Sequence, residues 1–195
     1  MHSRPADLRA PSPLARRVHL RLLAGSDAAA FVAAVMASRR VHRAWVNPPD
    51  SPEEFQRRLP RQRLDASRVS LVAVRIEDGA LVGAFNLSEI VRGPLQQAYL
   101  GYYAFAPHDG HGYMGEGLRL VLDYAFRTLR LHRIEANIQP DNGPSIALVR
   151  SAGFSKEGFS PRYLKIGGRW RDHERWAINA DSWRARKKRP ATRSV

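Results

Sequence analysis

The 195-residue chain contains no cysteine, which excludes a disulfide framework, a thiolate zinc site and a cysteine acyl-enzyme. Any acyl transfer must then be direct or use another nucleophile. No uninterrupted apolar run is long enough to span a bilayer, and charges occupy the N-terminal stretch where a signal peptide has its hydrophobic region. A cytoplasmic location with no membrane partner is the default expectation. No helical His-Glu-x-x-His pair, carboxylate cluster or Walker lysine is found, so neither a metal site nor nucleotide hydrolysis is expected. Acidic residues are scarce too: 18 Asp and Glu face 32 Lys and Arg, a formal charge of +14 with a pI near 11.2. That balance predicts attraction to polyanions such as RNA or ribosomes. It names no specific partner, and a generally basic proteome or a solubility effect accounts for it as well.

A chain of this length suits one α/β domain with a full core and a single site. Residues 1–17 mix proline, arginine and small residues without periodicity and read as an N-terminal arm. Residues 181–195, which include Arg186-Lys187-Lys188-Arg189, read as a solvated basic tail. Neither is expected to supply core. Between them, Val18 to Leu23 alternates like a strand, and Ser26 is placed to cap a helix running to about Arg39. A second helix is expected from Ser51, where Ser-Pro-Glu-Glu combines a cap, an N1 proline and early acids. Strands at Val69–Ile76 and Leu81–Val91 form a hairpin through Glu77-Asp78-Gly79. A helix over Met114–Arg130 repeats Leu118, Val121, Leu122, Ala125, Phe126 and Leu129 as a core stripe.

The most informative stretch is Tyr99 to Phe154. An aromatic strand runs into Gly110-His111-Gly112-Tyr113-Met114-Gly115, followed by helix, strand and helix. Consecutive glycines before a helix N-terminus aim backbone N–H groups outward, where phosphate oxygens bind well. Read literally, the turn satisfies the dinucleotide pattern G-x-G-x-x-G, with Glu135 about 20 residues on as its ribose acid. Three features argue against that ligand. Pro107-His108-Asp109 separate strand from turn, most of the chain precedes it, and Glu135 lies near the start of its strand rather than at the carboxyl end.

The turn also fits the pattern Gln/Arg-x-x-Gly-x-Gly/Ala on Asp109 to Met114, with Gly112 the strict match and Asp109 and Met114 departing from it. Around it, Tyr99-Leu100-Gly101-Tyr102, His132-Arg133-Ile134, Pro140-Asp141-Asn142, Gly153-Phe154-Ser155-Lys156-Glu157-Gly158 and Arg169-Trp170-Arg171-Asp172-His173 follow in order. Together these resemble the GNAT acyltransferase superfamily, and within it the RimJ-type ribosomal-protein-alanine N-acetyltransferases, over about Val18 to Ile178. The resemblance implies a GNAT fold of the α/β (α+β) class over residues 18–180. Its mixed, mostly antiparallel sheet would splay at the acetyl-CoA site, with helices on both faces.

By the same resemblance, acetyl-CoA is the co-substrate. Its diphosphate would lie on Gly110, His111, Gly112, Tyr113, Met114 and Gly115, and its pantetheine on the backbone of Tyr103, Ala104 and Phe105. Ser145 would donate a proton to the departing thiolate while Asn142 orders the cofactor or a water. Capping of the helix by Asn142 and Ser145 is the alternative, and the two roles can coexist. The general base is not assigned. The family's glutamate positions fall on Asn137 and Leu164, which carry no carboxylate. An α-amine of pKa about 7.7 to 8.0 is partly neutral at pH 7, so a water held by Asn137 is a sufficient catalytic device. Asp172 and His173 on the final hairpin are other candidates for the base, with structural hydrogen bonding the favoured reading of both.

The implied activity is acetyl transfer to a protein N-terminal α-amine, with alanine of a ribosomal protein as acceptor and the ribosome as partner. A small-amine acetyltransferase and a non-catalytic CoA-binding ribosome or RNA assembly factor are the competing readings.

Overall fold

The computed structural model describes residues 16–42 and 44–188. Strand β1 (Val18–Leu22) leads into helices α1 (Ala28–Ala37), α2 (Arg39–His42) and α3 (Pro52–Leu64). Strands β2 (Val69–Arg75), β3 (Leu81–Val91) and β4 (Gln97–Ala104) precede α4 (Tyr113–Asp123), β5 (Arg133–Ile138) and α5 (Gly143–Ala152). The long hairpin β6 (Ser155–Ile166) and β7 (Arg169–Asn179) and helix α6 (Ala180–Lys188) complete the fold. The seven strands form one sheet in the order β1-β2-β3-β4-β5-β7-β6. Only the β4–β5 pair is parallel, so the sheet is mixed and mostly antiparallel, as expected.

That parallel pair positions the site. β4 follows β3 as far as Ala104, and β5 follows β7 as far as Ile138. The ladder between β4 and β5, however, covers only Gln97 to Tyr99 against Arg133 to Glu135. Beyond that point each strand keeps its outer partner and the two separate, leaving inner-edge N–H and C=O groups without a ladder. The expected splay is therefore present.

Helices cover both faces. On one side Leu118, Val121, Leu122, Ala125 and Phe126 form the expected stripe, buried with Phe85, Ile134, Val149 and Trp176. The helix itself is shorter than the pattern suggests, because α4 passes into a π-helical turn over Tyr124–Thr128. On the other side Phe31 and Val35 of α1 and Phe55 and Leu59 of α3 pack on Val72, Val74, Ala84 and Phe105.

Local capping partly follows the sequence. Ser51 caps α3, its hydroxyl accepting from Glu54 N–H at 3.2 Å with Pro52 at N1. The expectation for Ser26 is corrected: it lies in a 3₁₀ turn, and α1 starts at Ala28. Asp27 fixes that turn instead, accepting Ala24 N–H at 2.8 Å and two bonds from the Arg21 guanidinium. Those bonds hold its carboxyl below the usual carboxylate range. The expected run to Arg39 breaks at Ser38, whose hydroxyl donates to Ala34 O and accepts Ala106 N–H at 2.8 Å.

The termini differ from expectation at one end. Of the N-terminal arm, Arg16 and Arg17 alone belong to the described residues. The basic tail is corrected: it begins as α6, and Trp183 is 4% exposed within the core, its indole N–H donating to Asp123 at 3.2 Å.

Candidate functional site

The glycine turn sits at the N-terminus of α4. Gly112 is its N-cap with φ +81°, and Gly110 has φ +78°, a left-handed geometry that favours glycine. Among the described residues, the N–H groups of Gly110, His111, Gly112, Tyr113 and Met114 have no acceptor, as the first turn of a helix leaves them. Gly115 differs, because its N–H bonds Gly112 O at 3.1 Å. The His111 ring donates to Asp109 O at 2.9 Å and stacks on Tyr113. The Met114 side chain turns inward onto Gly83, where a Cβ would collide with its sulfur. Glycine on β3 is thus the physical reason that a large residue is tolerated there.

The strand end is the second component. Phe105 N–H donates to Val82 O at 3.0 Å, so in the antiparallel alternation Tyr103 and Phe105 direct their backbone groups at β3. Those of Ala104, and of Tyr102, point across the splay toward β5. The expected trio is corrected accordingly: the Phe105 N–H is engaged by its neighbour strand.

The third component is the start of α5. Asn142 caps it, Oδ1 accepting Ser145 N–H at 3.2 Å with Pro144 in the first turn. Capping is therefore present, yet the Ser145 hydroxyl takes no part in it. It lies 2.6 Å from the Tyr102 hydroxyl. Burial pushes the Tyr102 phenol well above its usual pKa, so the pair stays protonated and can pass a proton only outward.

The remaining candidates separate. Leu164 is exposed on β6. Asp172 accepts Arg162 N–H at 2.7 Å, and buried His173 donates to Arg171 O at 2.9 Å, the structural roles expected for both. Glu135 pairs with Arg133 at 3.0 Å, which removes it from any ribose-binding role. Among the described residues no cluster of His, Asp or Glu could hold a metal ion, and no helix is long and apolar enough to cross a membrane.

Residues 17–155 match the acetyltransferase (GNAT) domain family. The chain belongs to this family. A relative, the [ribosomal protein uS5]-alanine N-acetyltransferase of Escherichia coli, is 39% identical over 107 residues, covering 55% of each chain. The chain spans about half the length of the curated relatives it matches first. Among solved structures, Mycobacterium smegmatis RimJ in complex with CoA-disulfide superimposes with a TM-score of 0.79 at 30% identity, covering 84% of this chain and 82% of that one. Spermidine N-acetyltransferase from Vibrio cholerae, in complex with CoA and spermine, is alike in fold: TM-score 0.74, 23% identity, covering 86% and 98%.

In this GNAT domain the turn suits a diphosphate on its own evidence. Among the described residues five N–H groups lack acceptors, and a Cβ at Gly110 would meet nothing within 4 Å. The Arg17 guanidinium lies 3.2 Å from where a Gly112 Cβ would be and 4.8 Å from the Tyr113 ring centre. Arg17 also pairs with Glu116 in the first turn of α4. Sequence reading missed Arg17, because the two partners are 99 residues apart. Tyr102 was missed as well, although the aromatic alternation of its strand shows that it faces away from Tyr103. On the opposite face a cavity of about 120 Å³ lies against Tyr103, with Phe31, Phe55, Leu59, Asn86 and Arg58 in its walls.

Proposed function

We propose that this chain is an acetyl-CoA-dependent N-acetyltransferase acting on the N-terminal α-amine of a protein, with an N-terminal alanine of a ribosomal protein as acceptor. One observation carries the choice of acceptor. The cavity beside Tyr103 has Arg58 in its wall, and no Asp or Glu lines it among the described residues. Three carboxylates of the flanking elements are paired: Glu54 with Arg58, Asp50 with Arg39 and Asp27 with Arg21. A polyamine carries several positive charges and needs free carboxylates to hold them. A peptide N-terminus brings one amine and a small side chain, which a pocket walled by Phe31, Phe55, Leu59 and Asn86 suits without a free carboxylate.

Bound acetyl-CoA supplies an activated acetyl group whose release as a thiolate requires one proton. The chain's own groups divide the rest. Gly110 to Met114 and Arg17 hold the diphosphate, while the inner-edge backbone of Ala104 and Tyr102 meets the pantetheine amides. Ser145, with Tyr102 behind it, donates to the thiolate, and Asn142 fixes the helix start that carries Ser145. Donors preorganised at developing charge are typically worth about 3 kcal/mol.

Intact-mass analysis with acetyl-CoA and N-terminal peptides that differ in their first residue tests this reading, with spermidine and simple amines in parallel. Acetylation concentrated on peptides beginning with alanine is expected. Turnover of free amines without any peptide would remove the protein acceptor. Failure on every amine, with salt-sensitive ribosome binding, would favour the assembly-factor reading that the +14 charge motivates.

A further inference from the structure

The β6–β7 hairpin outgrows the sheet. β5 pairs with β7 only over Glu174 to Asn179, ending with Ile138 opposite Glu174. Residues 169–173 of β7 and 160–166 of β6 therefore pair only with each other, as a two-stranded ribbon past the carboxyl end of β5. Helix α5, which carries Ser145, begins at the same end of the sheet. The ribbon is firmly built. Gly167 and Gly168, with φ +56° and +78°, form its tip, a two-residue turn whose twist suits a hairpin. Nearer the sheet, the backbone is irregular between Ser160 and Leu164. Asp172 fastens that irregularity by accepting Arg162 N–H, and the Tyr163 ring meets buried His173 edge-on at 6.0 Å between centres.

What the ribbon presents sets it apart. Arg162, Lys165, Arg169 and Arg171 are all exposed, and among the described residues none of them is in an ion pair. Elsewhere the basic side chains are widely neutralised: Arg39 by Asp50, Arg58 by Glu54, Arg75 by Asp78, Arg133 by Glu157 and Lys156 by Glu174. The register pairs Lys165 with Trp170, and Leu164 with Arg171 and Ile166 with Arg169. Paired residues share a face, so each face of the ribbon carries free cations. Trp170 is 60% exposed, and it and Phe159 are the two exposed Phe, Trp or Tyr side chains among the described residues, both on this hairpin. Free cations around an indole left in water form a stacking platform for bases.

We propose that the tip of the β6–β7 ribbon binds RNA, with an unpaired base stacked on Trp170 and the flanking phosphates on Arg162, Lys165, Arg169 and Arg171. Cations on both faces suit a nucleic-acid backbone passing round the ribbon, whereas an acidic protein surface would meet one face. An indole stacks on any base, so the contact selects unpaired RNA rather than a sequence. The choice of RNA over other polyanions rests on the ribosomal acceptor proposed above, since a ribosomal protein is surrounded by it. The ribbon leaves the sheet at the end where Ser145 lies, so RNA held there stands beside the protein whose N-terminus is acetylated. The +14 charge steers the encounter at long range, and the ribbon gives it a place.

Fluorescence anisotropy of a short, labelled single-stranded RNA, titrated with the full chain from about 50 to 200 mM salt, tests this. Trp170→Ala removes the platform but no charge. Its affinity is expected to fall about tenfold, with the salt slope of wild type. Lys165→Gln, Arg169→Gln and Arg171→Gln together are expected to flatten the slope of log K against log salt by about 2, at roughly 0.7 per phosphate contact. All four positions are exposed, so melting temperature and kcat on a free acceptor peptide should stay near those of wild type. RNA binding is read without acetyl transfer. A failed acceptor reading therefore shows in the amine panel, and a failed ribbon shows in the titration. Binding by Trp170→Ala within twofold of wild type, or a wild-type salt slope in the triple variant, overturns the proposal. So does wild-type RNA affinity in both variants with a raised KM for a protein acceptor, which makes the ribbon a protein contact.

Discussion

Tyr102→Phe removes one oxygen from the site and little else. The ring remains against Phe85, 6.2 Å between centres, so no sizeable cavity opens. Lost are the 2.6 Å contact with Ser145 Oγ and the longer 3.2 Å donation to Ser145 O. A net hydrogen bond of this kind contributes about 1 kcal/mol to stability, or roughly 2 to 4 °C in melting temperature for a domain of this size. The catalytic effect follows from direction. A thiolate only accepts, so at the moment of its release Ser145 must donate outward and needs Tyr102 to donate to its oxygen from behind. Without that donor the serine hydroxyl is free to turn toward a carbonyl of its own helix.

The expected loss is about tenfold in kcat, equivalent to roughly 1.4 kcal/mol, with the acceptor KM unchanged. Steady-state kinetics of the variant, of Ser145→Ala and of the double variant measure it. Because both residues act through one hydroxyl pair, their effects should fall well short of additive. An unchanged kcat in Tyr102→Phe, or losses that simply multiply, would refute the coupling.

Trp183→Ala should cost about 3 to 5 kcal/mol, on the order of 10 °C in a thermal melt. A shift under 3 °C would return the residue to an expendable tail. Stability should also fall from pH 7.5 to pH 5 in urea titrations. Burial lowers the folded pKa of His42 and His173, so below the ordinary value of about 6.5 the unfolded chain binds more protons. The stability held by these neutral rings is complete above that value and is lost as pH falls through their folded values. Asp27 adds a second loss at lower pH, since its depressed pKa contributes stability above the ordinary carboxylate range and loses it as pH falls through the folded value. Equal midpoints at pH 7.5 and 5 would contradict the histidine argument.

What the sequence made legible was local. Ser51-Pro52-Glu53-Glu54 announced a helix start because cap, ring and dipole all act within one turn. The same holds for Asn142 and Ser145, and for the glycines that free the N–H groups before α4. The stripe from Leu118 to Phe126 was readable because periodicity alone selects its buried face. Ser26 misled because Asp27, one residue on, has an arginine on β1 that the helix pattern does not contain. Trp183 was hidden by basic neighbours, since its core contacts with α4 arise 60 residues away.

This divides the proposed reaction unequally. The thiolate side was visible through the family resemblance, whose motif falls on the helix start that carries Ser145. The packing along the inner edge of β4 was not, because β4 meets β5 only after a crossover, and the histidine bonded to that edge comes from 62 positions upstream. A search for the usual carboxylate could only report Asn137 and Leu164 as vacancies. The sheet order supplies a contact that search could not see: it sets His42 of α2 against the inner edge of β4, Nε2 at 2.7 Å from Ala104 O. Among the described residues, His42 Nδ1 and Asn137 Oδ1 are the buried side-chain atoms left without a partner, and neither the cap pattern nor the helical stripe reports on such atoms.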